Sequence, residues 1–333
     1  MLQLADMRLW SGRTDREDGR AGERWHQRIT PLQLDSAPGV AILGFASDEG
    51  VRRNRGRIGA AKGPRILRMA MANLPATFDA PLYDGGNVRV EKEDLESAQA
   101  LLGARVTELL SDGHFPLVLG GGHEIAFGCY QGIARWMREQ QREKTLGIVN
   151  FAAHLDLRVP KPQGSSATPF FQIAEQCEIN GKPFNYLCVG ASAAVNTPAL
   201  FNRADELGAQ IIGDRDISAW TLQQCRRRIA DFIDGVDLVY LSICLDVLPA
   251  AVMPAVSAPA ARGLPLDLFE PLVDTVLESG KVCLADMAEF NPYFDIEDHA
   301  ARTAAYIGFL VANGVQGPEC RGRSAETRVQ KPK

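Results

Sequence analysis

Eight short apolar runs, nearly continuous in Val, Leu and Ile, alternate with stretches of helical periodicity, and this alternation restricts the fold more than any other feature of the chain. Unbroken apolar runs suit strands buried on both faces, as in a parallel sheet covered by helices. The runs lie near Val40–Phe45, Leu82–Gly85, Phe115–Leu119, Leu146–Val149, Tyr186–Val189, Gln210–Ile212, Leu238–Ile243 and Val282–Ala285. Between them, Leu95, Ala98, Leu101, Leu102, Val106 and Leu109 recur at spacings of three and four, which is the buried stripe of a helix. Further helices are expected to start near Pro64, Thr197, Leu222 and Pro265, with Gly63-Pro64 placing a proline in a first helical turn. The alternation continues without a Pro/Gly/Ser-rich linker, so the expectation is an α/β fold: one doubly wound domain with an eight-stranded, mostly parallel sheet flanked by helices. The expected boundaries are an N-terminal extension at 1–38 packed on the domain through Leu9-Trp10 and Trp25, the domain itself at 39–316, and a disordered tail at 317–333.

Composition narrows the function. A net charge of −5 lacks the basic excess that phosphate neutralisation needs, so no nucleic-acid partner is expected. No apolar stretch reaches the roughly 18 residues of a membrane span, and Met1–Gly12 shows no cationic start followed by an apolar core. The default expectation is a soluble, cytoplasmic protein without a membrane partner. Seven scattered cysteines (129, 177, 188, 225, 244, 283 and 320), none in a C-x-x-C pair, read as reduced thiols and mostly as small core residues.

Ligands of open parallel sheets bind outside the carboxyl ends of the strands. Four polar motifs fall there: Gly120-Gly121-Gly122-His123-Glu124, Asn150 to Arg158, Ser242-Ile243-Cys244-Leu245-Asp246, and Glu289-Phe290-Asn291-Pro292. In extended backbone Ala152, His154 and Asp156 share one face, as do Ser242, Cys244 and Asp246. A lone histidine at a strand end is commonly a hydrogen-bonded structural residue, but His123 and His154 together with Asp156 and Asp246 form a donor set suited to divalent ions. A phosphate-binding role for the glycine run is the weaker alternative, because neither G-x-G-x-x-G nor G-K-[ST] is present. The basic run Arg52-Arg53-Asn54-Arg55-Gly56-Arg57 reads either as a solvated loop or as a pocket for an acidic substrate.

Six motifs carry a family resemblance: Gly120–Glu124, the Asn150–Arg158 block, Thr168-Pro169-Phe170, Leu245-Asp246-Val247-Leu248-Pro249, Val256-Ser257-Ala258-Pro259-Ala260 and Glu289–Pro292. With them the chain resembles the ureohydrolase (arginase–agmatinase) family from about Leu9 to about residue 310. The segment from Gly50 to Ala60 is similar to its formimidoylglutamase branch in particular. The resemblance implies a hydrolase that cleaves a carbon–nitrogen bond in a linear amidine, converting N-formimidoyl-L-glutamate and water to L-glutamate and formamide in histidine degradation. It also implies homo-oligomers and a pair of Mn(II) ions roughly 3.5–4 Å apart that activate the attacking water. Carried over residue by residue, it makes His123 and Asp156 ligands of one ion and His154 and Asp246 ligands of the other. Asp156 then relays a proton and Glu289 pairs with the amidinium. For the two substrate carboxylates, Arg53 and Arg57 are the expected bidentate partners, helped by Asn54, with Thr168 touching the substrate from its loop.

Two positions depart from the family pattern. Its bridging aspartates fall on Ala152 and Cys244. Two +2 ions about 3.5 Å apart in an effective dielectric of about 20 repel by roughly 19 kcal/mol, which bridging carboxylates normally offset. Ala152 supplies no donor and Cys244 only a soft thiolate. The expectation is therefore reduced occupancy, one ion or none, with Cys244 a possible fifth donor. The alternative expectation is an impaired scaffold that binds glutamate-like ligands or serves as a subunit without turnover.

Overall fold

The computed structural model describes residues 1–140 and 143–315, so the tail expected at 317–333, with Cys320, lies outside the described residues. In chain order the strands are β1 (Leu2–Gln3), β2 (Ile29–Pro31), β3 (Val40–Ala46), β4 (Leu82–Arg89), β5 (Phe115–Leu119), β6 (Leu146–Phe151), β7 (Asn185–Ala191), β8 (Gln210–Gly213), β9 (Leu238–Cys244) and β10 (Val282–Ala288). The helices are α1 (Trp25–Arg28), α2 (Glu49–Arg53), α3 (Gly63–Met71), α4 (Leu95–Ser111), α5 (Ile125–Glu139), α6 (Pro169–Ile179), α7 (Pro198–Glu206), α8 (Leu222–Asp234), α9 (Leu266–Glu278) and α10 (His299–Gly314). The strands run in the order β1-β4-β3-β5-β10-β9-β6-β7-β8, with β2 also on β4.

All eight expected runs are strands, β3 to β10, and their pairings are parallel. The N-terminal extension adds two more. Ile29–Pro31 joins the outer edge of β4 in parallel and Leu2–Gln3 joins it antiparallel, so the sheet has ten strands among the described residues. Strands of two and three residues are too short to leave a periodic signal. A side-chain link strengthens the attachment: the Trp10 indole donates to Asp84 Oδ2 at 2.7 Å, and Asp84 also receives a two-point contact from the buried Arg68 on α3.

Alternate residues of each strand feed two cores. Ile42, Leu117, Val149, Leu187, Leu241 and Met287 face α3, α8, α9 and α10, while Leu43, Val118, Ile148, Tyr186, Tyr240 and Leu284 face α4, α5, α6 and α7. Burial on both faces explains why the runs lack a polar alternation. The second face has an exception at its centre. Asn150, Ser242 and Asp286 stand in register across β6, β9 and β10, all fully buried, forming a polar row beneath the carboxyl ends of the middle strands. Those middle strands, β5, β10, β9 and β6, are consecutive in the sheet and end in the four polar motifs.

Candidate functional site

The β5–α5 connection carries His123. Its glycines serve close backbone approach: a Cβ on Gly121 would lie 1.7 Å from the Ser47 carbonyl oxygen, and the Gly121 N–H donates to Phe45 O on β3. After β6 the chain leaves extended geometry at once, so His154 and Asp156 are brought together by an irregular segment, not by strand alternation. Asp156 has φ +48°, and Glu289 after β10 has φ +76°. Left-handed backbone at two buried acidic residues costs free energy that the surrounding hydrogen bonds must offset, and such strain concentrates at functional sites. Asn196 supplies part of that support, accepting from Leu155 N–H through Oδ1 and donating from Nδ2 to the Ala153 carbonyl.

One cavity is lined by Asn54, His123, His154, Asp156, Arg158, Ser166, Cys244, Asp246 and Glu289, with Ser257, Asn196 and apolar residues completing the wall. Two contacts organise it. His123 Nδ1 lies 2.7 Å from Asp156 Oδ2, and His154 Nδ1 lies 2.7 Å from Asp246 Oδ2, the same two pairs that the family resemblance implies. Burial alone would push both imidazoles down. The hydrogen bond and charge of Asp156, with Asp286 and Asp246, outweigh it at His123, and the charge and hydrogen bond of Asp246 do so at His154, so each rises to about 9. Asp246 is held below its ordinary value: the charge and hydrogen bond of His154 outweigh the opposing effect of burial. Glu289 accepts the His123 backbone N–H at Oε1 (2.9 Å), yet burial and the neighbouring Glu124 carboxylate lift it to about 8. Glu124, raised to about 7 by burial, ties this loop to α2 by accepting from Ser47 Oγ and Gly50 N–H.

The basic run behaves differently from the expectation. Arg53 donates to Glu49, Glu96, Gly164 O and Glu93 O, so its guanidinium is fully engaged in bracing α2 against neighbouring loops. Arg57 donates to the carbonyls of Ser257, Pro254 and Val256 and lies over the Phe294 ring. Neither lines the cavity, and only Asn54 of this run does. Thr168 is likewise turned inward, bonding Ser165 and Gln172 and fixing the loop that presents Ser166 and Ala167. The cation at the cavity is Arg158, whose side chain has no hydrogen-bond or ion-pair partner among the described residues. It stands in the Asn150–Arg158 block, and its position two residues after Asp156 was the available signal.

A family model, the arginase family, matches residues 38–312. The chain belongs to that family. Among its relatives, the formimidoylglutamase of Aeromonas salmonicida is 50% identical over 92% of this chain and 97% of its own length. The formimidoylglutamase of Chromobacterium violaceum is 48% identical over 93% and 98%. A Trypanosoma cruzi formiminoglutamase solved with Mn2+2 superposes with a TM-score of 0.77 at 25% identity, covering 89% of this chain and 99% of that one. Likeness along the whole length gives no support to the alternative of a scaffold without turnover.

Among the described residues no group of three or more His, Cys, Asp or Glu gathers closely enough to hold an ion; the imidazoles and carboxylates stand as two hydrogen-bonded pairs. A cation entering either pair must displace the proton shared at Nδ1. Two imidazoles and two carboxylates lining one cavity are donors of the right kind for one divalent ion. A bridged pair asks for more: Ala152 offers nothing, and burial, then the charges of Asp246, Glu289 and Asp156, push the Cys244 thiol far up and keep it protonated. The other described cysteines form no disulfide. No helix among the described residues is long and apolar enough to cross a membrane.

Proposed function

We propose that this chain hydrolyses N-formimidoyl-L-glutamate to L-glutamate and formamide, using one divalent cation, with Mn(II) the family's metal. The observation that carries the reading is identity of about half over more than nine-tenths of both chains with proteins named formimidoylglutamase. His123 with Asp156 and His154 with Asp246 are the two pairs that would have to draw together to hold the ion, with Cys244 lining the same cavity. When bound, such an ion polarises the substrate and lowers the pKa of water. The chain's own residues account for the rest. Glu289 keeps one carboxylate oxygen on the His123 N–H, leaving the other to accept from an amidinium N–H. An amidinium beside it supplies the positive charge that this buried carboxylate lacks, and so favours its ionised form. Asp156 Oδ2, shared with His123 Nδ1, is placed to take up the proton released as water adds to the amidine carbon. Arg158 and Asn54 face the glutamate carboxylates, while Arg53, Arg57 and Thr168 act indirectly by shaping the loops that present them.

The test is direct. Purified chain supplied with Mn(II) and N-formimidoyl-L-glutamate should release glutamate and formamide in equal amounts. Release of ammonia and N-formylglutamate, or turnover of arginine or agmatine in preference, would contradict the assignment.

A further inference from the structure

Arg158 reaches the cavity from a segment without helix or strand, so its aim has to come from whatever holds the backbone beneath it. After β6 that backbone is tied repeatedly. The Ala153 carbonyl accepts from Ser192 N–H and Asn196 Nδ2, Leu155 N–H donates to Asn196 Oδ1, and the Leu155 carbonyl accepts from the Tyr186 hydroxyl. The next two ties both fall on the peptide group that joins Leu157 to Arg158. Its carbonyl accepts from Arg203 Nη1 on α7 at 2.9 Å, and its N–H donates to the Ala167 carbonyl, in the loop before α6, at 3.0 Å. A peptide group is planar, so holding it at both ends opposes rotation of the whole plane and fixes where the Arg158 side chain begins.

Among these ties, only that of Arg203 comes from a charged side chain, and a charged donor makes the stronger bond. The same guanidinium lies over the Phe171 ring of α6, 5.7 Å from its centroid, so one half-buried side chain joins α6, α7 and the segment between β6 and α6. At this peptide the chain passes from core to cavity: the Leu157 side chain is fully buried and Arg158 is exposed. We infer that Arg203 is a positioning residue that sets the reach of Arg158 toward a substrate carboxylate, and so contributes to the choice of a glutamate-bearing amidine. This rests on the proposed role of Arg158, and it deepens that role by naming what aims the side chain.

The test separates aim from general support. Hydrogen exchange of the whole chain, read by mass spectrometry on peptides that resolve the Arg158 amide, should be about tenfold faster in Arg203→Met, and Arg203→Lys, which keeps a charged donor, should recover most of the protection. Glutamate binding in calorimetry should weaken about tenfold in Arg203→Met and KM for N-formimidoyl-L-glutamate should rise by the same factor, with kcat, Mn(II) affinity and melting temperature close to the parent's. In an Arg158→Ala background the same substitution should change glutamate binding by no more than about twofold, because no aimed side chain remains. A mere loss of positive potential at the cavity would persist in that background. Unchanged exchange at the Arg158 amide, or an equal loss of glutamate affinity with and without Arg158, would overturn the inference, as would a fall in kcat or Mn(II) affinity with KM intact. If Arg158→Ala itself left glutamate binding unaltered while Arg203→Met still speeded exchange, the carboxylate role of Arg158 would fall and the hold of Arg203 on its peptide would stand.

Discussion

The two imidazole–carboxylate pairs have the same contact distance, 2.7 Å, and opposite surroundings. His123 and Asp156 have side chains 1% and 9% exposed, with the ring held at its second nitrogen and against Phe170. His154 is 25% exposed on a segment that follows β6, beside Ala152 in sequence and with Asp246 two residues beyond Cys244. The difference teaches that an identical hydrogen bond is worth different amounts on its two sides of the cavity. On the His123 side the protein has built a rigid setting. On the His154 side, next to both departures from the family pattern, the ring relies on one carboxylate and on solvent.

Mutations should expose that asymmetry. Asp156→Ala leaves a charged or unpaired imidazole in a dry setting and should cost about 3–5 kcal/mol, against about 1–3 kcal/mol for Asp246→Ala, where His154 can reach water. Urea unfolding of the metal-free chain measures both, and equal losses would remove the contrast. The pH dependence is next in size. Both histidine pKa values are raised from 6.5 to about 9, so the pairs contribute fully below about pH 6.5 and are lost as pH climbs through 9. Glu124, Asp286 and Glu289, raised to about 7, 6 and 8, act in the same direction, because ionising them in the folded state is unfavourable. Asp246 and Glu49 are lowered and contribute above about pH 4, losing their effect in stronger acid. Metal-free stability should therefore peak in mild acid and fall toward pH 9, each raised histidine alone accounting for about 3 kcal/mol of the loss; a plateau from pH 5 to 9 in thermal melts would contradict the assigned pairs. A smaller effect separates the arginines. Arg158→Ala should raise KM for formiminoglutamate about 10–100-fold with little change in melting temperature, whereas Arg57→Ala should lower the melting temperature first, because it removes the ties to the 254–257 wall.

The arginines also show where the sequence was legible. Eight apolar runs became eight parallel strands because burial on both faces leaves an unmistakable composition, and His123, His154, Asp156, Asp246 and Glu289 line one cavity because strand ends in a parallel sheet converge. The assignment of carboxylate partners was less readable. Arg53 and Arg158 are the same residue type, each in a motif of the family, and only three-dimensional placement of Glu49, Glu96 and Gly164 tells that the first is already occupied. The Asn150–Ser242–Asp286 row was hidden for another reason: its neighbouring members lie 92 and 44 residues apart in sequence and meet only through sheet register.

The account stands most directly on how many ions the chain holds. Metal content of the purified protein after saturation with Mn(II) and removal of excess should be one per chain, rising to two in the Ala152→Asp, Cys244→Asp double variant, with faster formiminoglutamate hydrolysis. Two ions per chain in the unmodified protein, with no gain in the variant, would contradict the claim that positions 152 and 244 decide the occupancy.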